Sequence, residues 1–229
     1  MQIQNHADPP LHPTYEHPAR PPVKHLPHPV TKKILHPVVK HKAVNSPEYL
    51  KFVDAAIGPA KSSELQTGVP ASITIAQGIV ESAWGKHHMG TANNFFGVKA
   101  QEDKKHNVTF GSIATGYVDK VTKEHIKDKD ITITDHFRSY SNMTDSFVDH
   151  GTFIRDNSGY QSALEAYAKT GDADEFARGL QKAHYATDPH YAEVLINIMK
   201  GRKLYQYNQK GVAAASAAAA GASAAVVKK

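Results

Sequence analysis

A single glutamate, Glu81, has the surroundings expected of an acid catalyst. It lies in the apolar run ITIAQGIVESAWG, residues 73–85. On a helical wheel the apolar residues cover most of the circumference, and the polar residues form one narrow stripe that contains Gln77 and Glu81. A carboxyl at the end of such a buried helix, facing a cleft, has a raised pKa that suits it to general-acid catalysis. The alternative is a structural carboxylate that forms an ion pair inside the core.

The elements that position Glu81 are predicted to be mostly helical. Ser46-Pro47-Glu48 is typical of a helix start, and Gly58-Pro59 is predicted to end that helix, with a second one at about residues 61–66. Gly78, one turn before Glu81, weakens a helix by roughly 1 kcal/mol, which is tolerated where another group approaches the backbone closely. Four more helices are predicted at about 144–154, 160–169, 172–180 and 189–201.

One stretch, residues 107–140, departs from the helical pattern. It is rich in Val, Thr, Ile and Tyr, and Ile131, Ile133 and Phe137 alternate with polar residues, which is the period of a strand. Residues 127–130, with the sequence KDKD, are suited to a turn. The sequence therefore predicts a predominantly helical α+β fold with a small antiparallel β-hairpin lobe.

Three segments carry a resemblance to a known family. AQGIVESAWGK followed by NNFFGVKA, then FRSYSNMTDSFVDHGTFI, and finally AHYATDPHYAEVLINIM occur in this order between residues 76 and 199. They resemble the glucosaminidase family of peptidoglycan hydrolases, similar to glycoside hydrolase family 73. The resemblance covers about residues 46–208 and implies a lysozyme-like helical domain. It also implies that Glu81 is the general acid.

The resemblance implies a second carboxylate on the β-hairpin lobe, because a glycoside hydrolase normally uses two. In the family this group precedes a Phe-Arg-x-Tyr run, which begins here at Phe137. Counting back from that run selects Glu124, with Asp119 as the second choice. The alternative for Glu124 is a solvated hairpin charge that pairs with Lys123 or Lys127.

A tyrosine and five further residues complete the predicted site. The family motif corresponds to Tyr185, which the resemblance places at the cleft, where it supports the substrate or the reacting centre. Its alternative is packing at the start of the last helix, with Asp188 only capping that helix. Many relatives have glycine before this tyrosine, whereas this chain has His184. Predicted substrate-binding residues are Gln77, Asn93, Asn94, Phe96 and Asp188.

Neither a metal nor another cofactor is predicted. The chain contains no cysteine, so it has no thiolate metal site. Adjacent histidines, His87 and His88, point in different directions from a helix end and lack a carboxylate pattern nearby. The Phe95-Phe96 pair is equally compatible with a core position and with a sugar platform, and Trp84 is predicted to belong to the core.

Charge and composition divide the 229-residue chain into three parts. Residues 46–208 hold 18 Lys and Arg against 20 Asp and Glu, whereas residues 1–45 and 209–229 carry net charges of +4 and +3. The overall charge of +5 therefore belongs to the tails, and a nucleic-acid partner is not predicted. The first part, rich in His-Pro pairs, is predicted to be an extended or disordered arm that docks to a larger assembly; the Ala-rich last part is predicted to be a flexible tail.

Together these features predict a peptidoglycan hydrolase that cleaves the β-1,4 bond between N-acetylglucosamine and N-acetylmuramic acid. Alternatives are a muramidase or lytic transglycosylase on the same scaffold, or a wall-binding structural protein with little turnover. The N-terminus lacks a Sec-type signal and no apolar stretch is long enough to span a bilayer. Action on the cell wall would then require specialised secretion, lysis or a virion.

Overall fold

The computed structural model describes residues 47–86, 89–126 and 129–209, apart from the side chains of residues 122–131. The described helices are α1 Pro47–Thr67, α2 Ala71–Glu81, α3 Met143–Asp156, α4 Gln161–Thr170, α5 Ala173–Lys182 and α6 Tyr191–Gly201. The strands are β1 Gln101–Glu102, β2 Val108–Thr109, β3 Gly116–Ile126 and β4 Lys129–Ser139. The predicted helical fold with a small antiparallel lobe is confirmed. The predicted N-terminal arm, residues 1–45, and the tail after Gln209 lie outside the described residues.

The first helix is longer than predicted. It continues through Gly58 and Pro59 as one element, so the predicted break there is wrong. Proline removes one backbone hydrogen bond from a helix interior, yet the residues on both sides of Pro59 share one buried face. That face includes Ala56 and Ala60, and one turn later the Ser63 hydroxyl donates to the Phe147 carbonyl of α3 at 2.9 Å. Packing against α3 therefore overrides the local preference of the Gly-Pro pair.

Helix α2 lies in the centre of the core. Every residue from Ala71 to Ile79 is buried. A Cβ at Gly78 would lie 3.4 Å from the rings of both Phe52 and Phe147. The missing side chain therefore lets aromatic rings from α1 and α3 reach the backbone one turn before Glu81, as the sequence suggested.

The β-hairpin lobe is formed by β3 and β4. The strands pair in an antiparallel register in which Val118 faces Phe137. The lobe is joined to the loop after α2, because the Arg138 N–H donates to the Val98 carbonyl at 3.0 Å and the Ala100 N–H donates to the His136 carbonyl at 2.9 Å. The two-residue strands β1 and β2 were not predicted.

A buried ion pair attaches the lobe to the helices. Arg138, on β4, donates to an Asp149 carboxylate oxygen at 2.7 Å, and Asp149 belongs to α3. The Tyr140 hydroxyl donates to the same oxygen at 2.8 Å. Because Asp149 and Tyr140 are almost fully buried, these bonds form in a region of low dielectric and fix the base of the hairpin.

Candidate active site

Glu81 is the last residue of α2 and lies at a sharp change of backbone direction. The Ser82 N–H donates to the Gly78 carbonyl, which closes the helix. The next three residues, Ala83, Trp84 and Gly85, all have positive φ angles, from 48° to 78°. At Gly85 a Cβ would lie 2.7 Å from the Phe52 ring, so both the conformation and the space require glycine. The positive φ angles therefore end the helix here, and Glu81 lies in its final turn.

The environment of the Glu81 carboxyl favours its neutral form. Burial raises the pKa of this carboxyl from 4.5 to about 8, although part of the side-chain surface remains accessible. Its place at the negative end of the α2 dipole acts in the same direction. Within the described part of the chain, no side chain forms a hydrogen bond or ion pair with Glu81. The alternative of a structural ion pair is thus unsupported, and the group suits proton donation at neutral pH.

Two tyrosines lie beside Glu81. Tyr185 precedes α6 and Tyr191 begins it; their rings stack with centroids 5.4 Å apart. Their hydroxyls are hydrogen-bonded to each other, and burial followed by the nearby Glu81 charge raises the pKa of Tyr191 well above its usual value. Both rings are buried, and the role of Tyr185 in supporting the substrate or the reacting centre stays a prediction.

Gln77, a predicted substrate-binding residue, forms internal hydrogen bonds in the structure. Gln77 is completely buried on α2. Its Nε2 donates to the Tyr191 hydroxyl at 3.1 Å, and its Oε1 accepts from His150 Nε2 at 3.0 Å. The amide therefore joins α6 to α3 and has no surface at which to meet a ligand.

Buried side chains hold the loop after α2 in place. Asn94 is completely buried, and its amide donates to the Val98 and Arg138 carbonyls, each at 2.9 Å. Phe96 is buried, with its ring stacked on His150 at 4.0 Å. Asn94 and Phe96, two predicted substrate-binding residues, therefore hold the loop through internal contacts in the structure. Asn93, with a positive φ of 49°, is partly exposed and donates to the Tyr140 carbonyl at 3.0 Å.

The turn before α6 has a left-handed backbone at His184. Its φ is 54°, a conformation that glycine adopts without strain and histidine does not. Four residues later, Asp188 accepts from the His190 N–H at 2.8 Å, which caps the turn. Asp188 is only partly buried, and it bonds to His190, the residue before α6, so its side chain holds the turn and does not cap the helix.

Asp119 and Glu124 are the candidates for the second carboxylate, and Asp119 already pairs with His136. The Asp119 carboxylate lies 2.6 Å from His136 Nδ1, and Glu102 lies 3.6 Å from the other ring nitrogen. The hydrogen bond that His136 donates to Asp119 raises the pKa of His136, so this exposed cluster favours an ion pair. Glu124 pairs with Ile131 in the strand register, and its side chain lies outside the described residues.

Two residues of the site were not anticipated from the sequence. Neither Tyr191 nor His150 was assigned a role from the sequence. Both are buried polar rings that contact Gln77. Tyr191 lies two residues after Pro189 in the tyrosine motif, and that position was a signal for it. No local signal in the sequence identifies His150.

Trp84 lies beyond the end of α2, not inside the helix. Its ring packs 4.4 Å from Tyr49, and the Arg202 guanidinium lies 4.7 Å above it. The predicted core placement of Trp84 is partly met, because the ring is partly buried against the core. His87 and His88 lie outside the described residues.

The described residues contain neither a metal-binding cluster nor a membrane-spanning helix. Among residues 47–86, 89–126 and 129–209, no three His, Asp or Glu side chains are placed to hold a metal ion. No helix in this part of the protein has the length and hydropathy needed to cross a membrane.

The raised pKa of Glu81 makes a prediction about stability. In the unfolded chain this carboxyl ionises near pH 4.5, and in the folded protein near pH 8. Folding then binds the proton more tightly, so the free energy of unfolding falls as pH rises between these values, by about 3 kcal/mol after allowance for partial exposure. Glu81→Gln should remove this fall. Urea unfolding at pH 4.5 and pH 8 should show the variant gaining stability over wild type with pH; an unchanged difference would contradict the raised pKa.

Comparison with known proteins agrees with this geometry. The family model for glucosaminidases, described as mannosyl-glycoprotein endo-β-N-acetylglucosaminidase, matches residues 58–204. Peptidoglycan hydrolase FlgJ of Vibrio parahaemolyticus is 35% identical over 161 residues, which are 67% of this chain and 47% of that protein. Exo-glucosaminidase LytG of Bacillus subtilis is 36% identical over 69% of this chain and 53% of that protein. The chain thus spans about half the length of these curated relatives.

Solved structures show the same fold. The catalytic domain of the autolysin Auto from Listeria monocytogenes superposes with a TM-score of 0.60 at 26% identity, over 73% of this chain and 92% of that one. A C-terminally truncated glycoside hydrolase domain of Salmonella typhimurium FlgJ gives a TM-score of 0.52 at 28% identity, over 68% of this chain and 98% of that one. With the family model matching more than half of its residues, the chain belongs to the glucosaminidase family.

Proposed function

We propose that the protein is a peptidoglycan hydrolase that cleaves the β-1,4 bond between N-acetylglucosamine and N-acetylmuramic acid. The observation that carries this proposal is the Glu81 carboxyl, held at the end of a buried helix with a pKa of about 8. The substrate class follows from family membership and from the relatives named as peptidoglycan hydrolases. Action on the cell wall follows from that substrate; the delivery route and the docking of the N-terminal arm remain predictions from the sequence.

The reaction needs one proton donor and one group that activates water. Glu81 donates its proton to the glycosidic oxygen as the bond from that oxygen to the anomeric carbon breaks. On the other side of the sugar, Glu124 of the β-hairpin lobe either accepts the proton of a water molecule that attacks the anomeric carbon or, where the substrate acetamido group attacks that carbon first, stabilises the oxocarbenium ion. Both carboxyls then return to their starting states by exchange with solvent. Tyr185 and Tyr191 keep Glu81 neutral before the step by excluding water from one side of it.

The bond that is cleaved can be identified from the new reducing ends. Purified peptidoglycan is digested, reduced with borohydride and analysed by mass spectrometry. The proposal predicts reduced N-acetylglucosamine ends. Reduced N-acetylmuramic acid ends would indicate a muramidase, anhydro sugars would indicate a lytic transglycosylase, and wall binding without fragments would indicate a structural protein. Fragment length reports whether cleavage is internal, as in the family description, or from chain ends, as the name of LytG states.

Glu124→Gln tests the second carboxylate. We expect the rate of fragment release to fall by about 10²-fold or more, because an amide cannot accept the proton of the attacking water. Asp119→Asn is the matched control, since it removes a carboxylate of the same strand that is already paired with His136. Fragment release should stay within about threefold of wild type in the control. If Asp119→Asn slowed fragment release and Glu124→Gln did not, Asp119 would be the second catalytic carboxylate.

A further inference from the structure

The turn that follows Glu81 holds two successive residues in a conformation that is unfavourable for them. Ala83 and Trp84 have φ angles of 48° and 64°, and Gly85 continues the turn at 78°. A Cβ in the left-handed region lies too close to the following carbonyl oxygen, so residues other than glycine rarely adopt it. Backbone strain of this kind persists only where the surrounding structure fixes it, and it collects at active sites. The contacts of this turn therefore bear on how Glu81 is held.

Ser82 fixes the turn from within. Its side chain is completely buried. The Ser82 hydroxyl donates to the Gly78 carbonyl at 2.5 Å and accepts from the Gly85 N–H at 2.7 Å. The Ser82 backbone N–H donates to the same Gly78 carbonyl at 3.1 Å. One hydroxyl thus connects the last turn of α2, which contains Glu81, to the third of the left-handed residues.

Neighbouring elements hold the other part of the turn. The Trp84 N–H donates to the Ile79 carbonyl of α2 at 3.0 Å. The Trp84 ring contacts Tyr49 of α1, and the guanidinium of Arg202, the residue after α6, lies over it. The turn is therefore bonded to its own helix at two points and packed against two others.

The position of the Glu81 carboxyl depends on this backbone. No side chain in the part of the chain that the structure describes is hydrogen-bonded to that carboxyl, so the end of α2 and the turn after it carry its placement. Displacing a reacting group by about 1 Å can lower a rate by a factor of about 10². A turn that relaxed to an ordinary conformation would change the chain direction at Ser82, and the last turn of α2 would move with it.

We propose that Ser82 is a positioning residue for the acid step: its hydroxyl locks the left-handed turn, and the locked turn holds Glu81 at the end of α2. This inference rests on the proposed role of Glu81. It assigns a function to a buried hydroxyl whose two hydrogen bonds both go to backbone groups. It also accounts for the strain at Ala83 and Trp84, which ends α2 directly after the acid.

Ser82→Ala tests the inference, because alanine removes the hydroxyl and adds no volume. The Gly85 N–H then loses its acceptor, and the turn is free to relax. We expect kcat on soluble peptidoglycan fragments to fall by about tenfold or more below the unfolding temperature, whereas KM stays within about twofold of wild type. An unchanged kcat in the folded variant would overturn the inference. If Ser82→Ala does not fold, Ser82→Cys replaces it, because a thiol of similar size is only a weak donor and acceptor.

Thr67→Val is the matched control for Ser82→Ala. Thr67 is a buried residue at the end of α1, and its hydroxyl forms the same two kinds of bond. It donates to the Ser63 carbonyl at 2.8 Å and accepts from the Val69 N–H at 3.3 Å. The variant should lose stability and keep its kcat, since α1 does not carry Glu81. An equal loss of kcat in the control would show that activity responds to general loosening, and the inference would fail.

The double variant Ser82→Ala/Ala83→Gly tests whether the hydroxyl acts by holding the strained turn. Glycine adopts the left-handed conformation without strain, so the turn no longer needs the hydroxyl to keep it in place. We expect kcat to recover several-fold relative to Ser82→Ala. A double variant that is as slow as Ser82→Ala would overturn the inference, because the turn would then not link the hydroxyl to Glu81.

Two readouts do not depend on turnover. The Gly85 amide should exchange its hydrogen faster in Ser82→Ala than in wild type. Nuclear magnetic resonance titration of the Glu81 carboxyl, in protein labelled with carbon-13, should show a lower pKa in this variant, because a displaced carboxyl meets more water. If wild type digests no peptidoglycan but both changes occur, the proposed function fails and the positioning of Glu81 by Ser82 stands. If wild type digests peptidoglycan and Ser82→Ala changes neither kcat nor the Glu81 titration, only the positioning fails.

Discussion

Glu81→Gln should reduce the release of sugar fragments from purified peptidoglycan by about 10²- to 10⁴-fold, the range that general-acid catalysis contributes. Glutamine has nearly the same shape, and the site places no described hydrogen-bond partner on the carboxyl, so the fold should persist. The loss would then reflect the missing proton and not a rearranged site. Initial rates of reducing-end formation, compared at equal protein concentration, measure it.

Glu64→Gln is the matched control for this result. Glu64 on α1 is also a buried carboxyl whose pKa is raised by burial. It accepts from the Tyr167 hydroxyl and from the Gln209 N–H, each at 2.9 Å, and from the backbone of Ala71, at the end of α2 opposite to Glu81. The control should lose some stability and keep its activity at temperatures below its unfolding. A folded Glu81→Gln protein with more than a tenth of wild-type activity would contradict the acid role.

Asp149→Asn should lower the free energy of unfolding by about 3 kcal/mol, because it leaves the mostly buried Arg138 guanidinium without its counter-charge. The base of the β-hairpin lobe would loosen at the same time, since Tyr140 shares that carboxylate. Activity should therefore fall even below the unfolding transition. Urea unfolding and fragment release measure the two effects.

An exposed ion pair provides the comparison for Asp149→Asn. Glu48 lies 3.7 Å from Lys86, and both side chains are more than half exposed. Glu48→Gln should change the free energy of unfolding by less than about 1 kcal/mol. If Asp149→Asn were equally mild, Arg138 would have to find another partner, and the lobe would be held mainly by its backbone hydrogen bonds.

Features that depend on neighbours in the chain were predictable. The apolar run around Glu81 has the helical period, and the hairpin has the strand period, so both elements follow from local patterns. The helix predicted at about 172–180 is α5, and Asp172 caps it by accepting from two N–H groups. The helix predicted from about residue 144 begins at Met143, where Asn142 is the cap.

Features that depend on distant partners were not predictable. Gln77 and His150 are 73 residues apart, and no pattern in either segment indicates that they meet. The helical stripe alone therefore does not indicate that Gln77 has partners inside the protein. The continuity of α1 through Pro59 was missed for the same reason, since packing against α3 lies outside the local sequence.

The central claim is that a buried, neutral Glu81 supplies the catalytic proton, and the pH dependence of wild-type kcat/KM on soluble peptidoglycan fragments tests it most directly. Activity should be lost as pH rises through about 8, where Glu81 gives up its proton, and the carboxyl titration should give the same midpoint. If activity is lost over the same pH range in which the Glu81 carboxyl titrates, Glu81 is established as the catalytic acid. A Glu81 carboxyl that titrates near its ordinary value of 4.5, with activity persisting at neutral pH, would contradict the account.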